Sequence, residues 1–359
     1  MVLDFAKEAV ENTSSHSINF DELRAGKANI KVIGIGGCGC NAITWLFNKG
    51  VSGATIYAAN TDALHLSVSK SDEKLLIGKE LTRGLGAGGS PRKGREAAKE
   101  AIVDIKRAVG QADMVFVVAG LGGGTGTGAA PVIAQLAKET GAVVIAVVTM
   151  PFESEKSRID KAEFGLQELR DVTDTCIVLD NNRLVDIAGA LPIEQAFAVA
   201  NELVSVMIKG IVETITLPSL INLDYADVSA IMKGGGVAVI GIGESDTADR
   251  VNEAVKQALT HPLLDVDYQG ANGALIHVTC GPDLKLEEFD LIGRVVSENL
   301  SPDAQVIIGA RISKEFVGKV RVITIMTGVK SPYILGKAAE EQSFTVSKEI
   351  SDLGIEFMR

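Results

Sequence analysis

The sequence predicts an α/β protein: a doubly wound parallel sheet, a long central helix, then a smaller α+β domain. Three observations carry this. Short β-branched runs alternate with helix-length segments from position 28 onward. Three glycine clusters stand where runs of strand character give way to helical ones. A long apolar segment with a proline at each end divides the chain.

Residues 1–27 are polar and mixed, and an extension is expected there. Asp4, Lys7 and Glu8 argue against a signal peptide. Apolar runs at 30–35, 55–59, 114–119, 143–149 and 176–179 are the strands of a domain spanning 28–191. Continuous apolar runs of this kind are buried on both faces, as in parallel sheets, and ligands then bind at the carboxyl ends of the strands. Pro192 suits the first turn of a helix and Pro218 stops one, so 192–218 reads as a single helix. It is apolar nearly all round and is expected to be buried, a spine of over about 35 Å. Strands at 237–242, 274–280, 305–309 and 320–327 and helices at 225–232, 247–260 and 286–299 make an α+β domain over 219–329. Residues 330–359 form a polar tail.

The net charge of −11, from 35 basic and 46 acidic residues, repels a phosphate backbone, so nucleic acid is not an expected partner. No apolar run approaches the roughly 18 residues of a membrane span, which argues against direct membrane insertion and for the cytosol. Cys38, Cys40, Cys176 and Cys280 have neither zinc-site nor disulfide spacing and read as small buried thiols; no metal site is expected from side chains alone.

The glycine clusters carry the chemistry. Gly34, Gly36 and Gly39 satisfy G-x-G-x-x-G. NAD binding would also want an acidic residue at the end of the second strand, which here is neutral, with Asp62 coming late. Gly120-Leu-Gly-Gly-Gly-Thr-Gly-Thr-Gly128 lies between a strand and a helix, where converging N–H groups and the helix dipole hold an oxyanion. Thr125 and Thr127 can add hydroxyls. A third cluster, 84–91, again precedes a helix. Three such loops suggest a multi-phosphate ligand held largely by backbone. No G-x-x-x-x-G-K-[ST] occurs, so this is not a P-loop NTPase. Asp224 and Asp227 share one face at a helix start, and spacing alone favours a helix cap.

The run 122–128, GGGTGTG, resembles the signature of the tubulin and FtsZ family. So does its setting: GGCGCN, AANTDA, LTRGLGAGGSP, VTMPF, VLDNNRL, AFAVANELV and INLDYADV, in that order over about 28–328. The chain is most similar to archaeal members. The resemblance implies a GTPase that binds GTP or GDP with Mg²⁺ and polymerises head to tail. By motif, Gly36, Gly37 and Asn41 would lie beside the α- and β-phosphates. Asn60, Thr61 and Asp62 would approach the nucleotide and its Mg²⁺. Ala87, Gly88 and Gly89 would cover the γ-phosphate, and Gly122, Gly123, Gly124, Thr125, Gly126, Thr127 and Gly128 would wrap the phosphates. Glu155 and Arg158 would face ribose and phosphates, although their segment is one residue short of the family pattern. Asn181 and Asn201 would read the guanine edge, with Asn201 where many relatives have Asp, and Phe197 would stack on the base. Asn222, Asp224 and Asp227 would enter the nucleotide site of the next subunit and supply catalysis there.

The resemblance further implies a cytokinetic ring at midcell and a tail that docks on a membrane anchor or other division proteins. In the alternative reading, the chain is a GTP-binding cytoskeletal filament protein with little turnover and a role outside division.

Overall fold

A computed structural model describes residues 28–329 except Pro218, Asn222, Gly234, residues 261–270 and Asn299. The expected extension and tail, the stop at Pro218 and the catalytic assignment of Asn222 therefore lie outside the described residues.

The first half alternates strand and helix: β1 (Ile30–Ile35), α1 (Gly36–Lys49), β2 (Ala54–Asn60), α2 (Ala63–Val68), β3 (Glu73–Leu76), α3 (Lys79–Thr82), α4 (Pro91–Glu100), α5 (Ile102–Val109), β4 (Met114–Gly120), α6 (Thr125–Glu139) and β5 (Val143–Met150). A 3₁₀ turn (Glu153–Arg158) leads to α7 (Ile159–Val172), β6 (Thr175–Asp180) and α8 (Asn181–Ala188). The central helix α9 (Ile193–Thr216) precedes α10 (Tyr225–Met232), β7 (Gly236–Ser245), α11 (Arg250–Leu259), β8 (Gly273–Cys280), α12 (Leu286–Ser297), β9 (Gln305–Ile312) and β10 (Val320–Thr327).

The ten strands of the described residues join one sheet in the order β3-β2-β1-β4-β5-β6-β7-β10-β8-β9. β1 to β6 are parallel, and β10 runs antiparallel to both β7 and β8. β6 and β7 pair over only three residue pairs, Thr175↔Gly236 to Ile177↔Ala238, so the two parts are joined by a short seam. β1 is buried throughout, with Ile30 and Val32 in one apolar layer and Ile33 and Ile35 in the other. That is why its sequence is apolar without alternation apart from Lys31, whose ammonium donates to the Ala108 and Gly110 carbonyls.

Two expectations change. The single helix expected after the third glycine cluster is two helices, broken at Ala101 (φ −92°, ψ 19°). The central helix is buried only along its second half, from Leu203 to Thr214. Its first turns are open, with Ile193 75% exposed, because they border a cleft rather than the sheet. By length and composition α9 could cross a bilayer. Its packing is that of a core helix: Leu203, Met207 and Ile211 join the layer that holds Ile43 and Leu46 of α1.

Candidate functional site

The glycine clusters meet at the carboxyl ends of β1 and β4. Gly36 takes a positive φ of 71°, and a Cβ there would stand 2.9 Å from the Gly126 nitrogen, so the first cluster touches the second. A Cβ on Gly124 would meet the Ser90 nitrogen at 2.8 Å and the Ala87 Cβ at 2.9 Å, so the second touches the third. Approaches this close admit only glycine. Gly39 serves packing: a Cβ would meet the Val118 oxygen at 2.3 Å, where α1 crosses β4. Gly37 and Gly123 have open space and face the cradle without a packing role.

Side chains brace these loops. Thr61 and Thr125 share a 2.7 Å hydroxyl hydrogen bond, which ties the end of β2 to the signature loop. The Gly86 N–H donates to the Thr61 carbonyl at 3.1 Å. Thr127 is buried and its hydroxyl accepts from the Gly122 N–H at 2.9 Å, so it shapes the loop from inside. Asp62 caps α2, accepting from the His65 N–H at 3.0 Å, and its own N–H donates to Asn60 Oδ1 at 3.3 Å. Lys161 Nζ donates to the Gly89 carbonyl at 2.9 Å and anchors the loop Ala87-Gly88-Gly89, a contact that no sequence motif announces. Gly88 and Gly89 both have positive φ with open space around them.

Despite the shortened segment, Arg158 reaches the signature loop. A Cβ on Gly122 would meet the Arg158 Cβ and carbonyl oxygen, each at 2.9 Å. Glu155 accepts from the Phe152 N–H at 3.1 Å and pairs with Arg158. Phe152 meets Phe197 edge to face, with centroids 6.1 Å apart. Asn181 opens α8 directly after the cap Asp180 and is half-buried.

Beside the cradle lies a cleft of about 550 Å³ between α1 and α9. Asn41, Trp45, Phe197 and Asn201 are among the residues that line it. It thus brings a residue assigned to the phosphates together with two assigned to the base. Trp45 was not among the sequence candidates, because one aromatic residue on an amphipathic helix carries no signature. Its indole Nε1 donates to Glu202 at 2.7 Å. Burial opposes charge on Glu202, but hydrogen bonds from Lys49 and Trp45 outweigh it and hold the carboxyl below its usual range.

Cys40 is buried and its thiol is pushed up to about 12 by burial, so it stays protonated and inert. Cys176 and Cys280 are also buried, but Cys38 is exposed, contrary to expectation, because it stands on the cradle surface beside Thr149. Among the described residues, no three His, Cys, Asp or Glu side chains gather as a metal site.

Asp224 and Asp227 form a reciprocal cap of α10. Asp224 accepts from the Asp227 N–H at 2.8 Å, and Asp227 from the Asp224 N–H at 3.3 Å. Asp224 remains exposed. The next residue, Tyr225, donates its hydroxyl to the Asp113 carbonyl at 2.7 Å. Asp113 immediately precedes β4, whereas the signature loop follows it. The seven residues of β4 span about 23 Å. The acidic pair and the cradle thus lie at opposite ends of one strand and do not meet within a chain.

The model described as Tubulin/FtsZ family, GTPase domain, matches residues 29–189, and that of the FtsZ family, C-terminal domain, matches 236–330. The chain is 51% identical over 356 residues to cell division protein FtsZ 2 of Methanocaldococcus jannaschii, covering 98% of this chain and 93% of that one. It is 54% identical over 309 residues to cell division protein FtsZ 1 of Pyrococcus abyssi, covering 86% and 83%. Among solved structures, an empty FtsZ dimer from M. jannaschii matches with a TM-score of 0.79 and 49% identity over 90% of this chain and 92% of that one. A GTPγS-bound CetZ2 protofilament from Haloferax volcanii shares the fold, with a TM-score of 0.76 at 22% identity over 89% and 99%.

Proposed function

The chain belongs to the tubulin/FtsZ family and is a GTPase that polymerises, and we propose that each subunit hydrolyses GTP with carboxylates delivered by the next one in the stack. The cradle 36–41, 60–62, 87–89 and 122–128 holds the phosphates through backbone N–H groups at helix starts. Phe197, Asn181 and Asn201 hold the base. Water attacks the γ-phosphorus in line as the bond to the β,γ-bridging oxygen breaks, and Asp224 or Asp227 of the neighbour orients that water and takes its proton. With Asp62 as the nearby carboxylate, a Mg²⁺ would be held mainly by phosphate oxygens and water, a donor set that suits the ion. When bound it offsets the phosphate charge.

The observation that carries this reading is the opposition of acidic pair and cradle across the length of β4. A contact made by two different faces does not close on itself and builds a filament. We expect the Asp224→Ala variant to bind GTP and assemble while phosphate release falls on the order of 100-fold or more, as for loss of a general base. Full phosphate release by that variant would exclude the mechanism.

At the scale of the cell, the filament would form the division ring at midcell, in the cytoplasm. Leu353, Ile355, Phe357 and Met358 of the tail, set among charges, would dock on a membrane anchor. Removing 350–359 should spare GTPase activity and abolish recruitment to the membrane; recruitment at the full level would rule the docking role out.

A further inference from the structure

The cleft beside the cradle holds the only tryptophan of the chain. Trp45 is four residues beyond Asn41 on α1, one turn on and on the same face, about 6 Å farther from the phosphate loop. On α9, Phe197 and Asn201 repeat the same spacing, so two helix faces border one cleft. The indole is 38% exposed, and its Nε1 is held by Glu202, which Lys49 also grips. Among the described residues, no ring or cation stacks on it. A large aromatic surface fixed in place and left open toward a cleft suits a flat ligand.

We propose that Trp45 is a contact residue for the nucleotide, stacking on the base from the α1 side and adding affinity without selecting guanine. This rests on the reading of the cleft as the base site. Every base has a π-face, so stacking tolerates any of them, whereas Asn181 and Asn201 present the donors and acceptors that choose. Glu202 is a positioning residue, since it orients the indole and leaves its faces free.

The test is a titration of the full chain with GTP and, separately, ATP, following binding heat and indole emission in the same solution. Because Trp45 is the sole tryptophan, its emission should be quenched along the calorimetric isotherm. Trp45→Phe, which keeps a stacking ring, should bind nearly as tightly. Trp45→Ala should weaken both nucleotides by between roughly fivefold and a hundredfold, leaving their ratio unchanged. Asn201→Ala should instead shift that ratio. Normal binding heat with constant emission and undiminished affinity in Trp45→Ala would overturn the contact but leave the base site standing. A changed GTP-to-ATP ratio in Trp45→Ala would overturn its indifference to the base. No binding heat for the unaltered protein would overturn the base site itself.

Discussion

A single side chain can satisfy two demands, and in the proposed mechanism Asp224 does so. Within the subunit its carboxylate accepts the Asp227 N–H and starts α10. Losing a cap costs about 1 kcal/mol, a stability effect too small to silence an enzyme. A large loss of turnover in a folded variant therefore separates the catalytic role from the structural one. His277 poses the opposite problem, a titratable group with no assigned chemistry. It is 5% exposed on β8, its Nε2 lies 3.3 Å from the Thr279 hydroxyl, and among the described residues its Nδ1 has no partner. Burial, with the Arg311 charge adding, pushes its pKa down to about 4. In the unfolded chain it titrates near 6.5. As pH falls from 6.5 toward 4, the unfolded chain binds a proton that the folded one refuses, so stability drops across that window. This group alone accounts for roughly 1.4 kcal/mol per pH unit there and on the order of 3 kcal/mol in all. Above pH 6.5 it contributes no slope. Urea midpoints between pH 7.5 and 4.5 should fall more steeply for the native protein than for His277→Gln. Parallel curves would acquit His277 and assign the acid sensitivity to carboxylates.

At the level of elements, legibility followed burial. Sequence bounds for β1 and β10 agree with the structure because both are mostly apolar and lie inside the sheet, with Lys31 the one charge in β1 and Arg321 the one in β10. β3 escaped detection: Glu73-Lys-Leu-Leu76 is short and charged, as suits an edge strand, and among the described residues it pairs only with β2, over four residues. The break at Ala101 was equally silent, since neither glycine nor proline marks it. Its setting is tertiary. Gly94 and Gly128 let α4 and α6 approach until a Cβ on Gly94 would sit 2.2 Å from the Gly124 oxygen, and Glu100 turns back to accept the Glu80 and Leu81 N–H groups. The glycine loops themselves were readable because their function is backbone geometry, which composition reports directly. Trp45 and Lys161 were not, because each acts through a partner from a distant part of the chain, Glu202 and Gly89.

The whole molecule is polar in the directional sense: the cradle opens at one end of the parallel strands and the acidic loop projects at the other. In the proposed mechanism that makes activity a property of contacts between subunits, and it permits a test that no single variant provides. Gly123 has open space around it, so Gly123→Asp adds a negative charge to the cradle without a steric clash and should repel the phosphates. Such a subunit still carries Asp224 and Asp227. An Asp224→Ala subunit has the converse defect, an intact cradle and a damaged acidic loop. Each alone should release little phosphate. Mixed in equal amounts, roughly a quarter of the head-to-tail contacts would join a working cradle to a working acidic loop. The mixture should then hydrolyse GTP faster than the sum of its parts, with specific activity that rises with total protein. If the mixture matched that sum at every concentration, while the unaltered protein assembled normally under the same conditions, each subunit would have to complete its site from its own residues, and delivery of the carboxylates by a neighbour would be wrong.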